Sequence, residues 1–320
     1  MESDKCARPQ VSVIMPAYKE EQVIASVIGR VREVMENTGR SFEILVVDDG
    51  SPDSTAKAAQ KAGARVVAHP YNIGNGAAVK TGIRNARGQD IVLLDADGQH
   101  PPEVIPALLE KLEHFDMAVG ARAKNSDTSL HRDVANRIYN ELASYVTGRQ
   151  IPDLTSGFRA IKGHIAREFV SLLPNTFSYP STLTLALFRS GYSVVYLPIT
   201  AAKRQGKSKI KLLTDGSRFF LIILKIATLF APMRLFFPVS LAMFLAGLAY
   251  GLVKIFVLDA PYGPTSAMLI TMSVLVFLVG LVSEQVAQLR FDSLGRRMEA
   301  GSPDDCKAPE DGRKSLENKG

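Results

Sequence analysis

The chain has 320 residues, a net charge of +6, two cysteines and no tryptophan. Cys6 and Cys306 lie in polar terminal segments, which excludes a disulfide framework and a CxxC metal pair. The basic residues are not interleaved with aromatics along one element, so no nucleic-acid partner is expected. Many of them precede an apolar C-terminal region instead, including Lys203, Arg204, Lys207, Lys209, Lys211, Arg218, Lys225 and Arg234, a placement suited to an anionic membrane surface or substrate.

Residues 1–10 are polar, carry no apolar signal-peptide core and read as a flexible N-terminus, so the globular part is expected to stay in the cytoplasm. Val11 to Met15 reads as a strand ended by Pro16, and Glu20 to Met35 as a helix with apolar residues at Val23, Ile24, Val27, Ile28, Val31 and Val34. Phe42 to Val47 is a second strand, stopped by the turn-forming Asp48-Asp49-Gly50-Ser51-Pro52, where Ser51 reads as a turn and helix cap. A helix (Ser54 to Ala62), a strand (Arg65 to Ala68), a helix (Gly76 to Ala86) and a strand (Asp90 to Leu94) follow. The alternation predicts an α/β domain with a mostly parallel sheet covered by helices on both faces. Beyond it the pattern is less regular, with strands expected at Met117 to Gly120 and Tyr192 to Pro198 and a helix at Val134 to Thr147.

The C-terminal part is written for lipid. Ser217 to Phe230 sets Phe219, Ile222, Ile223, Ile226 and Phe230 on one face and reads as an interfacial helix, the alternative being a short buried helix. Leu235 to Leu258, with one charge at Lys254, and Thr265 to Ser283, with none, each match the roughly 20 residues that cross a bilayer. Arg234 precedes this pair, Arg290, Arg296 and Arg297 follow it, and the linker holds no Lys or Arg, so both ends are expected in the cytoplasm. The division is therefore 11–212 for the α/β domain, 213–232 for the interfacial helix, 233–290 for two transmembrane helices (about 235–258 and 265–285), and 291–320 for a disordered cytoplasmic tail. Ala242, Ala246 and Gly247 offer a small-residue face for packing against a second copy.

Three strand ends carry polar residues that should converge on one crevice: Pro16 to Glu20, Asp48 to Ser51, and Asp95 to His100. In Asp95-Ala-Asp97-Gly-Gln99-His100, two carboxylates and an amide carbonyl offer hard oxygen ligands for Mg²⁺ or Mn²⁺. His69, His114, His131 and His164 show no ligand spacing and read as packing or surface residues. Gly74-Asn-Gly76 lacks the third glycine of a dinucleotide fingerprint.

Taken in order, Val13-Ile-Met-Pro-Ala-Tyr-Lys-Glu20, Val46-Val-Asp-Asp-Gly-Ser51, Asn72-Ile-Gly-Asn-Gly76 and Asp95-Ala-Asp-Gly-Gln-His100 resemble the inverting family 2 glycosyltransferases of GT-A fold. Within that family the chain is most similar to the dolichyl- or polyprenyl-phosphate sugar synthases that carry a C-terminal anchor. The resemblance implies that Pro16, Tyr18 and Glu20 line the nucleotide pocket and that Asp48 recognises base or ribose. It also implies that Asp95, Asp97 and Gln99 hold the metal. It places Asp153 and Arg159, in Asp153-Leu-Thr-Ser-Gly-Phe-Arg159, nearest the reacting centre, with Asp153 acting either as a base or as an orienting group. Arg122, Arg132, Arg204, Lys207 and Lys209 are the cationic candidates for diphosphate and lipid phosphate, the last three in a flap before the interfacial helix, with a polybasic stretch held by anionic lipids as the alternative for Lys209 and Lys211.

The expected function is transfer of one sugar from a UDP- or GDP-sugar to a polyprenyl phosphate, dolichyl or undecaprenyl, by a multi-pass enzyme of the cell membrane. One rival is a family 2 enzyme with another lipid or a polysaccharide as acceptor, against which stand the two spans and the absence of a QxxRW-like segment. The other is a non-catalytic scaffold that binds nucleotide sugar, against which the set of Asp95, Asp97, Gln99, Asp153 and Arg159 argues.

Overall fold

The computed structural model describes residues 8–122, 130–175, 178–200, 228, 230–258 and 261–300, and the side chains of all of these except 130–136 and 290–300. Arg204, Lys207, Lys209, most of the expected interfacial helix 213–232, and residues 301–320 lie outside the described residues, as does the side chain of Arg132.

Seven strands form one sheet: β1 (Val11–Ala17), β2 (Phe42–Asp48), β3 (Arg65–Ala68), β4 (Asp90–Leu93), β5 (Met117–Arg122), β6 (Arg159–Lys162) and β7 (Val194–Ile199), in the order β3-β2-β1-β4-β6-β5-β7. All neighbours pair in parallel except β6, which runs antiparallel to both β4 and β5. The mostly parallel sheet expected from the alternation is the one observed. β1 is buried along its whole length, as a strand covered on both faces must be.

The two faces carry separate cores. One packs α1 (Ile24–Asn37), α2 (Thr55–Lys61) and α4 (Ile105–Lys111) over Val11, Val13 and Met15. The other packs α3 (Asn75–Asn85), α5 (Leu130–Thr147), α6 (Gly163–Phe169) and α7 (Tyr179–Arg189) over Ile14, Leu93 and Ile161. Helix α1 shows why such a stretch folds: Ile24, Val27, Ile28, Val31 and Met35 fall on one stripe and all are buried. At about 1.5–3 kcal/mol each, these side chains outweigh any propensity term. The helix starts at Ile24 rather than Glu20, because the Glu20 carbonyl accepts the Val23 and Ile24 N–H groups and forms a tight turn there.

Two long apolar helices follow, α8 (Pro232–Phe256) and α9 (Pro264–Ala300), and they form a hairpin. Both are long and apolar enough to cross a membrane. Helix α9 runs past residue 290, where a disordered tail was expected, because Glu284 to Met298 is dense in Glu, Gln, Ala, Leu and Arg, all good helix formers. Gly247 faces α9, where a Cβ would lie 2.9 Å from that of Leu269, and Gly280 faces α8, where a Cβ would lie 2.7 Å from that of Phe236. Gly247 is therefore spent inside the hairpin and is not on a face open to a second copy; Ala242 and Ala246 are exposed.

Candidate active site

The carboxyl ends of β1, β2 and β4 open on one edge of the sheet. Ala17 pairs with Asp48 on one side, while the Leu94 N–H donates to the Ile14 carbonyl on the other at 3.1 Å. Residues 16–20 thus emerge between Asp48 and Asp95, with the two flanking strands about 10 Å apart. Pro16 does not end β1 as expected; the strand continues to Ala17, with Pro16 in register with Val47. Its missing N–H falls on the β4 side, where it ends that ladder and lets the chain turn at Asp95.

Lys19 holds left-handed backbone, φ 62°, at a cost on the order of 1 kcal/mol. The Lys19 N–H donates to Ser51 Oγ and the Glu20 N–H to Thr55 Oγ1, each at 3.0 Å, and bonds of about 1 kcal/mol each offset that cost. Ser51 therefore clamps the β1 loop instead of capping a helix, since α2 begins only at Thr55. Tyr18 stands half-open at the rim.

Asp48 is buried. Its Oδ2 accepts the Ser51 N–H at 3.4 Å, while Oδ1 has no hydrogen-bond partner among the described residues. An orphan buried acceptor costs about 1–3 kcal/mol, so the strand end holds an acceptor able to take a ligand N–H or O–H. Asp49 does different work: its carboxylate accepts the Ile73 and Gly74 N–H groups at 3.0 and 2.8 Å and meets His69 Nδ1 at 2.7 Å. His69 Nε2 meets Thr81 Oγ1 at 2.9 Å. This pulls residues 72–74 against β2 and makes His69 a packing residue, as its spacing implied.

In the 95–100 loop the Gln99 N–H donates to Asp97 Oδ1 at 3.1 Å, across a left-handed Gly98. The Asp95 side chain is 35% exposed, so a ligand can reach it. Its backbone N–H donates to His100 Nδ1 at 3.3 Å, and His100 Nε2 lies 3.9 Å from its carboxylate. A His100 ring protonated on Nε2 satisfies both contacts, and it stacks on Phe158 with centroids 5.2 Å apart. Burial pushes the Asp95 carboxyl above its ordinary range; His100 pulls it down, Asp97 adds to the rise, and Arg159 and Arg122 oppose it. No three His, Cys, Asp or Glu side chains gather among the described residues. Asp95, Asp97 and Gln99 bring only hard oxygen donors to this loop, a chemistry that fits Mg²⁺ or Mn²⁺ with ligand oxygens completing the shell.

Asp153, in the loop before β6, is buried and densely bonded. Arg122 Nε and Nη2 donate to it at 2.8 and 3.0 Å, the Arg122 backbone N–H at 3.2 Å, and Thr155 through N–H and Oγ1, both at 3.1 Å. Burial acts to raise its pKa, but the Arg122 guanidinium more than offsets this and holds the carboxyl below its usual range. Arg122, expected to meet phosphate, spends Nε and Nη2 on Asp153 and on Thr155 Oγ1 at 2.6 Å.

Arg159 is placed differently from the expectation. It is 0% exposed, donating to the carbonyls of Ser156 and Pro180 and to Thr184 Oγ1. It braces the 153–158 loop against α7 from below and does not face the crevice, because β6 points residue 159 to the same side as the core residue Ile161. Sequence reasoning also missed Gly157, where a Cβ would lie 3.0 Å from Asp95 Oδ2 and 3.1 Å from the Tyr179 hydroxyl. A glycine just ahead of a strand was the available signal of such a close approach.

Residues 12–169 match the family Glycosyl transferase family 2, and residues 231–289 match the GtrB C-terminal hairpin. An undecaprenyl-phosphate 4-deoxy-4-formamido-L-arabinose transferase of Klebsiella pneumoniae is 31% identical over 271 residues, covering 80% of this chain and 78% of that protein. The transferase of the same description from Salmonella paratyphi B is 34% identical over 188 residues, covering 54% of this chain and 58% of that one. Among solved structures, glucosyl-3-phosphoglycerate synthase from Mycobacterium tuberculosis, in complex with Mn²⁺, UDP and phosphoglyceric acid, aligns with TM-score 0.55 and 20% identity, over 68% of this chain and 77% of that one. That likeness speaks for the fold alone. With a strand-end crevice of GT-A type in front of a matching hairpin, the chain belongs to the family 2 glycosyltransferases.

Proposed function

We propose that the protein transfers a single sugar from a nucleotide diphosphate sugar to the phosphate of a membrane polyprenol, with inversion at the anomeric carbon. The observation that carries this reading is the union, in one chain, of an acidic strand-end crevice with an apolar hairpin docked on the same domain. The name of the Klebsiella pneumoniae relative supports undecaprenyl phosphate as the acceptor, and the UDP complex of the M. tuberculosis structure is consistent with a UDP-sugar donor.

In this reading Asp48 Oδ1 accepts from the base or ribose, and Pro16, Tyr18 and Glu20 line the nucleotide beside it. Asp95, Asp97 and Gln99 would hold a divalent cation, which when bound neutralises charge on the departing diphosphate. His100 and Gly157 fix Asp95, one behind its backbone and the other by leaving it room. An acceptor phosphate oxygen attacks the anomeric carbon opposite the diphosphate, the bond to the diphosphate oxygen breaks, and the pair of electrons leaves with it. Such an acceptor is already anionic and gives up no proton. Asp153 is therefore an orienting group that presents the Arg122 guanidinium in a fixed plane, not a base. Arg159 acts beneath it as a brace. Arg132, Arg204 and Lys207 are proposed phosphate contacts on sequence grounds. The basic flanks of the hairpin support a cytoplasmic catalytic domain.

The test is incubation of the purified protein with undecaprenyl phosphate and a panel of UDP- and GDP-sugars, followed by mass spectrometry of the lipid. A lipid mass increased by one sugar residue is expected with at least one donor. Absence of any glycosylated lipid across the panel, from protein that binds nucleotide, would refute the acceptor.

A further inference from the structure

Among the described residues, polar contacts join helices α8 and α9 to the catalytic domain at two places. Glu284 of α9 accepts from Arg189, at the last position of α7, at 2.9 Å, and its other oxygen lies 3.4 Å from the Met233 N–H. Both side chains of the pair are mostly buried. Arg234 of α8 donates to the Tyr145 carbonyl in the last turn of α5, and the Tyr145 hydroxyl returns a bond to the Arg234 carbonyl at 3.2 Å. A cation is well placed against the negative end of a helix of this length. Between the contacts lies a cavity of about 430 Å³, lined by Phe188, Phe230 and Met233 among others. Apolar contact runs through the joint as well, where Leu235 of α8 packs against the domain core, and beside the cavity the two polar pairs add direction to that contact.

The two helices gripped in this way hold one and the same loop. In α5, Asn140 donates to the Pro152 carbonyl at 2.6 Å and accepts the Leu154 N–H at 3.0 Å, and Ser144 Oγ accepts the Ile151 N–H at 3.0 Å. In α7, Pro180 and Thr184 receive the Arg159 guanidinium that also binds the Ser156 carbonyl. Asp153, flanked by these contacts, fixes Arg122.

We infer that Arg189–Glu284, seconded by Tyr145–Arg234, is a positioning joint that sets the height and tilt of the 151–158 loop over the bilayer, so that a lipid-borne phosphate meets the crevice in register. This rests on the polyprenyl-phosphate reading. Glu284 lies within the second apolar span, five residues before its end at Leu289, where an acidic residue is costly unless it has a partner, here Arg189. None of the four residues touches substrate; each acts through the loop.

The test uses the full chain in liposomes as wild type, Glu284→Gln, Arg189→Glu and the swap Arg189→Glu with Glu284→Arg. Each is assayed with undecaprenyl phosphate in the bilayer and with a ten-carbon prenyl phosphate in solution. Misplacement of reacting groups by about 1 Å costs roughly 100-fold, so the single variants should lose about 10- to 100-fold on the embedded acceptor. On the soluble one the loss should be clearly smaller, with an unchanged donor KM, and the swap should recover most of the loss. Equal loss on both acceptors, or no loss on either, overturns the joint. Hydrogen exchange of the Leu154 and Thr155 amides reads the joint without any acceptor. It should accelerate in the single variants and recover in the swap, and wild-type exchange in all variants overturns the inference. If wild type glycosylates neither prenyl phosphate, the acceptor reading fails while the exchange result still judges the joint.

Discussion

Asp153→Asn is the sharpest probe of the candidate site, because the carboxylate has two incompatible roles open to it. As built, it accepts from Arg122 through Nε, Nη2 and the backbone N–H, and from Thr155 twice. An asparagine keeps one acceptor oxygen and turns an NH₂ group toward donors, leaving Arg122 without its counter-charge. Breaking a buried pair costs about 3–5 kcal/mol. The Arg122 side chain is 30% exposed, so water recovers part of that and roughly 2–3 kcal/mol remains. For a domain of this size that lowers Tm by about 4–12 °C, measured by thermal melting in detergent. The sign with pH follows from a folded pKa held below the unfolded value of about 3.9: the stabilisation is present above that pH and fades below it. The gap in Tm between wild type and variant should therefore be full at pH 7 and close as the pH drops below about 4. If Asp153→Asn melts like wild type while its rate loses dependence on a single deprotonation, the carboxylate is a free base and the orienting role is wrong.

Asp97→Asn should lower turnover by at least about 100-fold with little change in Tm, and excess chelator should abolish wild-type turnover; full activity in chelator would remove the metal from the scheme. Gly157→Ala places a methyl 3.0 Å from Asp95 Oδ2 and should weaken metal affinity first, raising the Mn²⁺ concentration for half-activity by about tenfold or more; an unchanged metal titration would show that Asp95 does not depend on that space. A cysteine at Tyr262 should react with an impermeant reagent from outside sealed cells while one at the C-terminal end stays protected; labelling of both from one side would contradict the hairpin orientation.

Much of this architecture is written in local patterns. β1, β2 and β4 are short apolar runs ended by polar residues, and period alone places Asp48, Asp95 and Asp97 at strand ends. Arg159 was misplaced because its role depends on a strand of four residues running against its neighbours, and nothing in Arg159 to Lys162 announces that direction. Ser51 and Asp49 looked like a turn because their partners, Lys19, Ile73 and Gly74, are distant in sequence. The Arg122–Asp153 pair was equally hidden: both residues were singled out, Arg122 for phosphate and Asp153 as a base or orienting group, and only the fold shows that each is chiefly the other's partner.

The notches that Gly247 and Gly280 cut into the hairpin bear on how it enters the bilayer. Each glycine admits a bulky neighbour from the opposite helix, so either helix alone would present a groove to lipid that acyl chains fill poorly. The pair therefore gains most of its packing when both helices are inside, which favours insertion as a preassembled hairpin over stepwise threading. Widening either notch residue, as in Gly280→Leu, should then pry the helices apart and slow membrane integration before it touches catalysis.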